Sequence, residues 1–458
     1  MATIAAPVIP AQVTNIAVNS IPKHHLMQSS MNRGFSAKGV PSSLSNKGLS
    51  TVAAEVRVVK PLVAGGATAQ RQVFWWMTGC TGWVFSMVVL GGVTRLTRSG
   101  LSMTDWKFAG GLPPLTEEEW EIEFAKYKKS PEYRTVNQGM NLENFKFIYW
   151  LEYAHRMWGR VLGVAFAVPC TYFAVRGYIT WPLAARLGVL FTLGGCQAFV
   201  GWWMVKSGLE EPKNHQIARV SPYRLATHLT SAFVIYTGML WTSLSVLYPT
   251  AEALNPSTSP NVVKGLAKAQ KILLPLSLLI AVTAVSGAFV AGLDAGHAYN
   301  TFPLMDGQLV PLQYWSEFSQ TIFQNTFENT AAVQFHHRVL AVTTLCSVTG
   351  AWAILRNTAL TTRTKACLNA MLAMTYCQVA LGISTLLLYV PVSLGSAHQA
   401  GALTLMSLVV AALHSVRGAA SRSALMNTYA GAGKVAKDHL AASGARLTVT
   451  PPRPVASH

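Results

Sequence analysis

Beyond residue 70 the chain alternates long apolar runs with short polar breaks. Eight runs approach the roughly 20 residues that a helix needs to cross a bilayer. They extend from Val73 to Val93, Phe147 to Arg176, Trp181 to Met204, Tyr223 to Leu247, Ile272 to Leu293, Ala331 to Leu355, Ala366 to Tyr389 and Val392 to Val416. The pattern predicts an all-α membrane protein with eight transmembrane helices. The remainder, 417–458, carries Lys434, Lys437, Arg446 and Arg453 and reads as an exposed polar tail.

The runs repeat. Glu152-Tyr153-Ala154-His155-Arg156 opens the second run, and Gln334-Phe335-His336-His337-Arg338 opens the sixth, with His337 182 residues after His155 (337 − 155). Cys196-Gln197-Ala198-Phe199-Val200-Gly201 in the third run returns as Cys377-Gln378-Val379-Ala380-Leu381-Gly382 in the seventh. His228 and His398 form a further pair, at a shorter offset because a longer loop precedes the fourth run. Four runs per half is an even number, so both halves have the same orientation. The expected architecture is two repeated four-helix bundles related by a pseudo-two-fold axis along the membrane normal. The expected divisions are a targeting segment with a disordered N-terminus at 1–65, an N-terminal half at 66–255, a C-terminal half at 256–416 and the tail at 417–458.

Composition agrees with a membrane protein. Of 458 residues, 51% are hydrophobic and 12% charged, whereas soluble domains carry about 25% charged residues. The net charge is +18, but no basic face on a folded soluble domain is visible, so nucleic-acid binding is not indicated. The N-terminal flank, the turn with Arg176 and Arg186, the loop with Lys264, Lys268 and Lys271, the turn with Arg356, Arg363 and Lys365, and the tail share one basic side. The opposite loop from Asp294 to Phe335 has no Lys or Arg but holds Asp306, Glu317 and Glu328. Residues 1–60 are rich in serine and basic residues, with Glu55 as their one acid. That composition fits a mitochondrial transit peptide better than a secretory signal. By the positive-inside rule both termini then face the matrix. The six cysteines lie in or beside apolar runs without a CxxC pair, and buried structural thiols are expected.

His155, His228, His337 and His398 lie on runs two, four, six and eight, each a short way inside the end that faces away from the basic side. Two facing helices of one bundle can place two imidazoles at the same depth, and imidazole ligates haem iron between the helices of a bundle. The absence of CxxCH makes any such haem non-covalent. Zinc stays open, on condition that three or four ligands converge. His336 lies about 100° around the helix from His337, and His297 and His414 fall outside the pattern. Arg156 and Arg338 are candidates for haem propionates or for snorkelling to the interface. Glu152 and Gln334 each precede a histidine by three residues, on nearly the same helix face. A carboxylate can move a proton and an amide cannot, so Glu152 is the candidate catalytic group; its other reading is an ion pair with Arg156.

The stretch Gly91-Gly92-Val93-Thr94-Arg95-Leu96-Thr97-Arg98-Ser99-Gly100-Leu101-Ser102-Met103 resembles the end of the first helix in haem A synthases. So do Glu152-Tyr153-Ala154-His155-Arg156, Asn300-Thr301-Phe302-Pro303-Leu304-Met305 and Ala397-His398-Gln399. The similarity covers about residues 70 to 416. The long outer loop from Glu117-Glu118-Glu119-Trp120 onward is similar to that of the eukaryotic mitochondrial branch, and the paired outer-loop cysteines of some bacterial members are missing. The resemblance implies oxidation of the C8 methyl of haem O to a formyl group by successive hydroxylations, giving haem A for cytochrome c oxidase. It implies haem O at His155 and His228, and a haem b cofactor with His337 and His398 as axial ligands. It also implies a haem O synthase as supplier, a ferredoxin-type electron donor and a place in the mitochondrial inner membrane. A homo-oligomer is compatible with it. The alternative is a di-haem b-type electron-transfer protein, which uses the same histidines without requiring Glu152. A transporter or a structural subunit leaves the four depth-matched histidines without a purpose. The outer loop from Asp294 to Phe335 is expected to cap the haem pocket.

Overall fold

The computed structural model describes residues 61–105, 110–211, 218–316 and 321–442. In chain order its α-helices are α1 (Gly66–Leu96), α2 (Glu117–Lys128), α3 (Pro131–Thr135), α4 (Leu142–Val175), α5 (Trp181–Leu209), α6 (Pro222–Leu247), α7 (Pro260–Gly292), α8 (Gln313–Ser316), α9 (Ile322–Glu328), α10 (Thr330–Leu355), α11 (Thr362–Leu387), α12 (Val392–Ser415) and α13 (Ala419–Ala442). Eight are long and apolar enough to cross a membrane, namely α1, α4, α5, α6, α7, α10, α11 and α12, at the places the apolar runs predict. The targeting segment expected at 1–65 lies outside the described residues as far as residue 60. Its end is tied to the turn after α4, where the Ala64 N–H donates to the Tyr178 carbonyl at 2.8 Å.

Within each set of four helices the first packs on the second and fourth, and the third on the fourth. Thus α1 packs on α4 and α6, α5 on α6, α7 on α10 and α12, and α11 on α12. The two sets meet where α1 touches α12, α6 touches α7 and α6 touches α12. The apolar core between them includes Val73, Met77, Leu273, Leu403 and Val409, all buried. Val164, Val168, Phe199, Leu274 and Leu278 point outward, as side chains facing hydrocarbon do. In hydrocarbon every backbone group needs an internal partner. Pro169 brings no N–H to the Ala165 carbonyl one turn earlier, and Trp76 Nε1–H from α1 donates to that carbonyl at 3.1 Å.

Three expectations change. The fifth helix starts at Pro260, a full twelve positions before Ile272, because Lys264, Lys268 and Lys271 interrupt the apolar run but not the helix. Ser259 caps it, and Val263, Leu266 and Ala269 are buried. The polar tail opens with a helix, α13. Its Ala, Leu and Met content favours helix without making an apolar run. Ala419 is buried and the Ala420 N–H donates to Gln270 Oε1 of α7 at 3.0 Å, whereas Leu425 and Tyr429 are exposed. The tail beyond 442 lies outside the described residues. Of the cysteines, Cys80 alone is buried; Cys196, Cys346 and Cys377 face outward, because an apolar run contains lipid-facing as well as core-facing positions.

The outer loops carry a small core of their own. Thr116 and Glu119 form a capping box that starts α2. Trp120, Phe124 and Tyr127 of α2 then bury their rings against Phe145, Ile148 and Tyr149 on the protruding first turns of α4.

Candidate functional site

Four histidines meet four glycines. A Cβ on Gly91 of α1 would stand 3.1 Å from His155 Cε1, and one on Gly201 of α5 would stand 3.0 Å from His228 Cε1. A Cβ on Gly287 of α7 would stand 3.2 Å from His337 Cε1, and one on Gly382 of α11 would stand 2.8 Å from His398 Cε1. Each imidazole therefore lies against the bare backbone of a neighbouring helix, in space that a larger residue would fill. The helix carrying His228 is held by Gln197, whose Nε2–H donates to the His228 carbonyl at 2.7 Å. Gln378 does the same for the His398 carbonyl at 2.8 Å.

The ring centroids of His337 and His398 are 6.5 Å apart with planes at 85°. That separation leaves room for a single metal ion between the rings, since metal–imidazole bonds run about 2 Å. His155 and His228 are near enough to interact electrostatically. Among the described residues the Nδ1 atoms of His155 and His228 are sealed from solvent without a hydrogen bond, whereas His398 has the Gln378 backbone beside it. His337 differs. Ser286 Oγ–H donates to the Thr283 carbonyl at 2.7 Å, and the same oxygen lies 2.7 Å from His337 Nδ1. A hydroxyl has one proton, so Oγ accepts from Nδ1–H, and Nε2 is left as the lone-pair nitrogen. Among the described residues no three His, Cys, Asp or Glu side chains converge as a metal cluster. Two imidazoles without a third ligand among the described residues fit a metal that brings its own macrocycle; zinc would need more ligands.

Above the histidines, Glu152 and Gln334 latch the outer loops. Glu152 is buried, and its Oε2 accepts from Ser102 Oγ at 2.7 Å and from the Met103 N–H at 2.8 Å. Its Oε1 accepts from Arg156 Nη2 at 2.5 Å, so the ion pair expected from the spacing forms. Gln334, also buried, donates Nε2–H to the Ala295 carbonyl at 2.7 Å and the Ala298 carbonyl at 2.5 Å. Its Oε1 accepts from Arg338 at 3.2 Å. Both arginines are held by the outer loops. Arg156 donates to the Met103 carbonyl at 3.2 Å, and Arg338 to the Tyr299 carbonyl at 2.6 Å. The Nε of Arg338 is buried without a hydrogen-bond partner among the described residues. Asn300 ties the same loop to α11 through the Leu386 carbonyl at 2.7 Å.

Further charge surrounds this end. Arg95, in the last turn of α1, and Arg98, just past it, pair with Asp294, just past α7, at 2.8 and 3.2 Å. Glu132 of α3 is buried, and its carboxyl is pushed up to about 7 by burial and then by the negative charge of Glu152, against the opposing pull of Arg98 and Arg95. The other histidines have other work. His336 Nε2 meets Tyr314 Oη at 3.2 Å. His414 is buried at the opposite end, with Ser245, Arg363 and Arg417 on its ring nitrogens. His297 is exposed in a 3₁₀ turn.

Sequence reasoning missed Ser286, Ser102 and the glycines as partners of the site. Ser286-Gly287 opposite His337 carried a faint signal as a small polar pair inside an apolar run. Ser102 stood in a quoted motif without a task.

Residues 74–410 match the model of the COX15-CtaA family, described as a cytochrome oxidase assembly protein. A haem A synthase COX15 of Arabidopsis thaliana is 55% identical over 389 residues, which is 85% of this chain and 82% of that protein. A haem A synthase COX15 of Homo sapiens is 46% identical over 341 residues, 74% of this chain and 81% of the relative. A haem A synthase of Rhodospirillum centenum is 46% identical over 356 residues, 77% of this chain and 90% of the relative. With eight membrane helices, four glycine-backed histidines and these matches, the chain belongs to the COX15-CtaA family of cytochrome oxidase assembly proteins.

Proposed function

We propose that this chain is a haem A synthase of the mitochondrial inner membrane, with both termini in the matrix. It oxidises the C8 methyl of haem O to a formyl group by successive hydroxylations, and the resulting gem-diol loses water. The product, haem A, goes to cytochrome c oxidase. The observation that carries this reading is the similarity to haem A synthases over most of the chain, including all eight membrane helices.

In this reading the half at 66–255 takes haem O between His155 and His228. The half at 256–416, its pseudo-two-fold mate, holds non-covalent haem b between His337 and His398. The 6.5 Å spacing of the latter rings supports that assignment. Bound there, haem b supplies one-electron transfer. The chain's own residues do the rest. Ser286 holds His337 in the tautomer that offers Nε2. The four glycines keep the imidazoles close to the helix backbones. Gln334, Arg338 and Asn300 tie the outer loop across this end, limiting water. Arg156 and Arg338 take haem propionates, and the buried unpartnered Nε of Arg338 is the donor best placed for one. Glu152 is the catalytic proton carrier, with Ser102 Oγ–H on its Oε2 as the partner able to pass a proton on.

A haem O synthase supplies the substrate, a ferredoxin-type donor supplies electrons, and association into a homo-oligomer is compatible with the outward faces. A di-haem b electron carrier uses the same four histidines and leaves Glu152 without chemistry. Extraction of haem from the purified protein, before and after supply of haem O and reductant, tests the reading. Conversion of haem O supports it; a protein that holds haem b alone and leaves haem O untouched is an electron carrier.

A further inference from the structure

The two histidine pairs sit in different sets of four helices, yet one contact chain links them. Gln399 follows His398 on α12. Its Nε2–H crosses to α1 and donates to the Val88 carbonyl at 3.0 Å. Its Oε1 lies 2.0 Å from where a Cβ on Gly92 would stand. Val88 and Gly92 are four residues apart, so one helical hydrogen bond joins this carbonyl to that N–H. Gln399 therefore straddles a single backbone turn of α1, using the carbonyl's second lone pair. The residue before Gly92 is Gly91, the glycine against His155. The chain runs His398, Gln399, Gly92, Gly91, His155.

The other seam, between α6 and α7, is built differently. His228 is followed there by Leu229, and Gly287, which faces His337, is followed by Ala288. Ala288 is buried and Leu229 packs into the core. A glycine with a glutamine on one seam thus corresponds to an alanine with a leucine on the other. The polar bridge lies on the seam that joins the His398 helix to α1, the helix whose Gly91 faces His155. An amide held across a helix seam in hydrocarbon has a fixed partner, because an unpaired one costs roughly 1–3 kcal/mol.

We infer that Gln399 is a positioning residue that sets the separation and orientation of the His337/His398 site relative to the His155/His228 site, using the room left by Gly92. This rests on the proposal that both sites hold haem.

The test uses the full chain purified with both haems, as Gln399→Leu and as the double variant Gly92→Ala/Gln399→Leu, which copies the residue types of the other seam. The readout is the magnetic coupling between the two low-spin ferric haems, measured as relaxation enhancement by pulsed EPR. Each haem should keep its content and its own g-values, because all four ligands remain. The coupling should shift in both variants, and it should stay shifted in the double variant even though its packing is restored. Unchanged coupling in a fully loaded double variant overturns the inference. Unmodified protein that binds no haem defeats the underlying functional reading instead, so the two failures are distinguishable.

Discussion

Glu152 and Gln334 occupy matching places, three residues before His155 and His337, and present opposite hydrogen-bonding groups to the loops above them. The Glu152 carboxylate accepts from the Ser102 hydroxyl and the Met103 N–H; the Gln334 amide donates to the Ala295 and Ala298 carbonyls. The two side chains have one shape, and the loops they latch differ in polarity. Local bonding thus accounts for part of the difference between acid and amide, and the proton-transfer role must be tested apart from it.

Glu152→Gln places an amide NH2 among donors, leaving at least one of Ser102, Met103 or Arg156 unsatisfied at a cost of about 1–3 kcal/mol. The variant should still fold and still hold haem b at His337 and His398. It should accumulate haem O or the alcohol. Ser102→Ala removes one latch and leaves the carboxylate ionisable, so loop stability should fall while some haem A is still made. Near-normal haem A from Glu152→Gln, measured by extraction and chromatography, would reduce Glu152 to a structural latch.

Ser286→Ala removes the hydroxyl that meets His337 Nδ1 and leaves the Thr283 carbonyl as its remaining partner, loosening the hold on the tautomer. Loss of such a partner lowers metal affinity by about 10- to 100-fold. Haem b should dissociate more readily and its redox potential should shift, while the substrate-haem pair is untouched. A titration of haem b into the apo variant checks this; wild-type affinity and potential together would remove Ser286 from the site.

The glycines predict selective loss. Gly382→Ala puts a methyl 2.8 Å from His398 Cε1, and Gly201→Ala puts one 3.0 Å from His228 Cε1. Overpacking of this kind costs about 1–3 kcal/mol. Gly382→Ala should deplete haem b, and Gly201→Ala should deplete haem O binding. If both variants lose the same haem, the assignment of pairs to sites is wrong.

The eight helices were legible because hydrocarbon imposes one length and one polarity on each. The four histidines were legible because polar residues are few in such helices and these repeat. What pattern could not supply was the partner of each group. Ser286, Gly91 and Gly287 reach the histidines across helix seams, and no local periodicity records which seam closes on which residue. Lys264, Lys268 and Lys271 hid the start of α7 for a related reason: hydropathy marks the membrane, not the helix. The polar latch at Glu152 depends on whether a loop offers N–H or C=O, which the chain order alone does not fix.

Glu132 gives a pH dependence. Its folded carboxyl titrates near 7, above the ordinary 4.5, because burial and Glu152 oppose its charge more than Arg98, Arg95 and Tyr127 relieve it. Between these values the folded state binds the extra proton, so stability is fullest below 4.5 and falls as pH rises toward 7. The full difference is roughly 3 kcal/mol. Glu132→Gln should remove this fall, raising the thermal midpoint at pH 8 and leaving it nearly unchanged at pH 4.5. Equal shifts at both pH values would contradict the assignment.

The most direct measurement is the haem inventory and spectrum of the purified full chain beside His337→Ala and His398→Ala. The account predicts a low-spin bis-imidazole b-type haem in the unmodified protein, its loss or conversion in each variant, and retention of haem O at His155 and His228 without conversion to haem A. An unchanged low-spin spectrum in a well-folded His337→Ala protein would contradict the account.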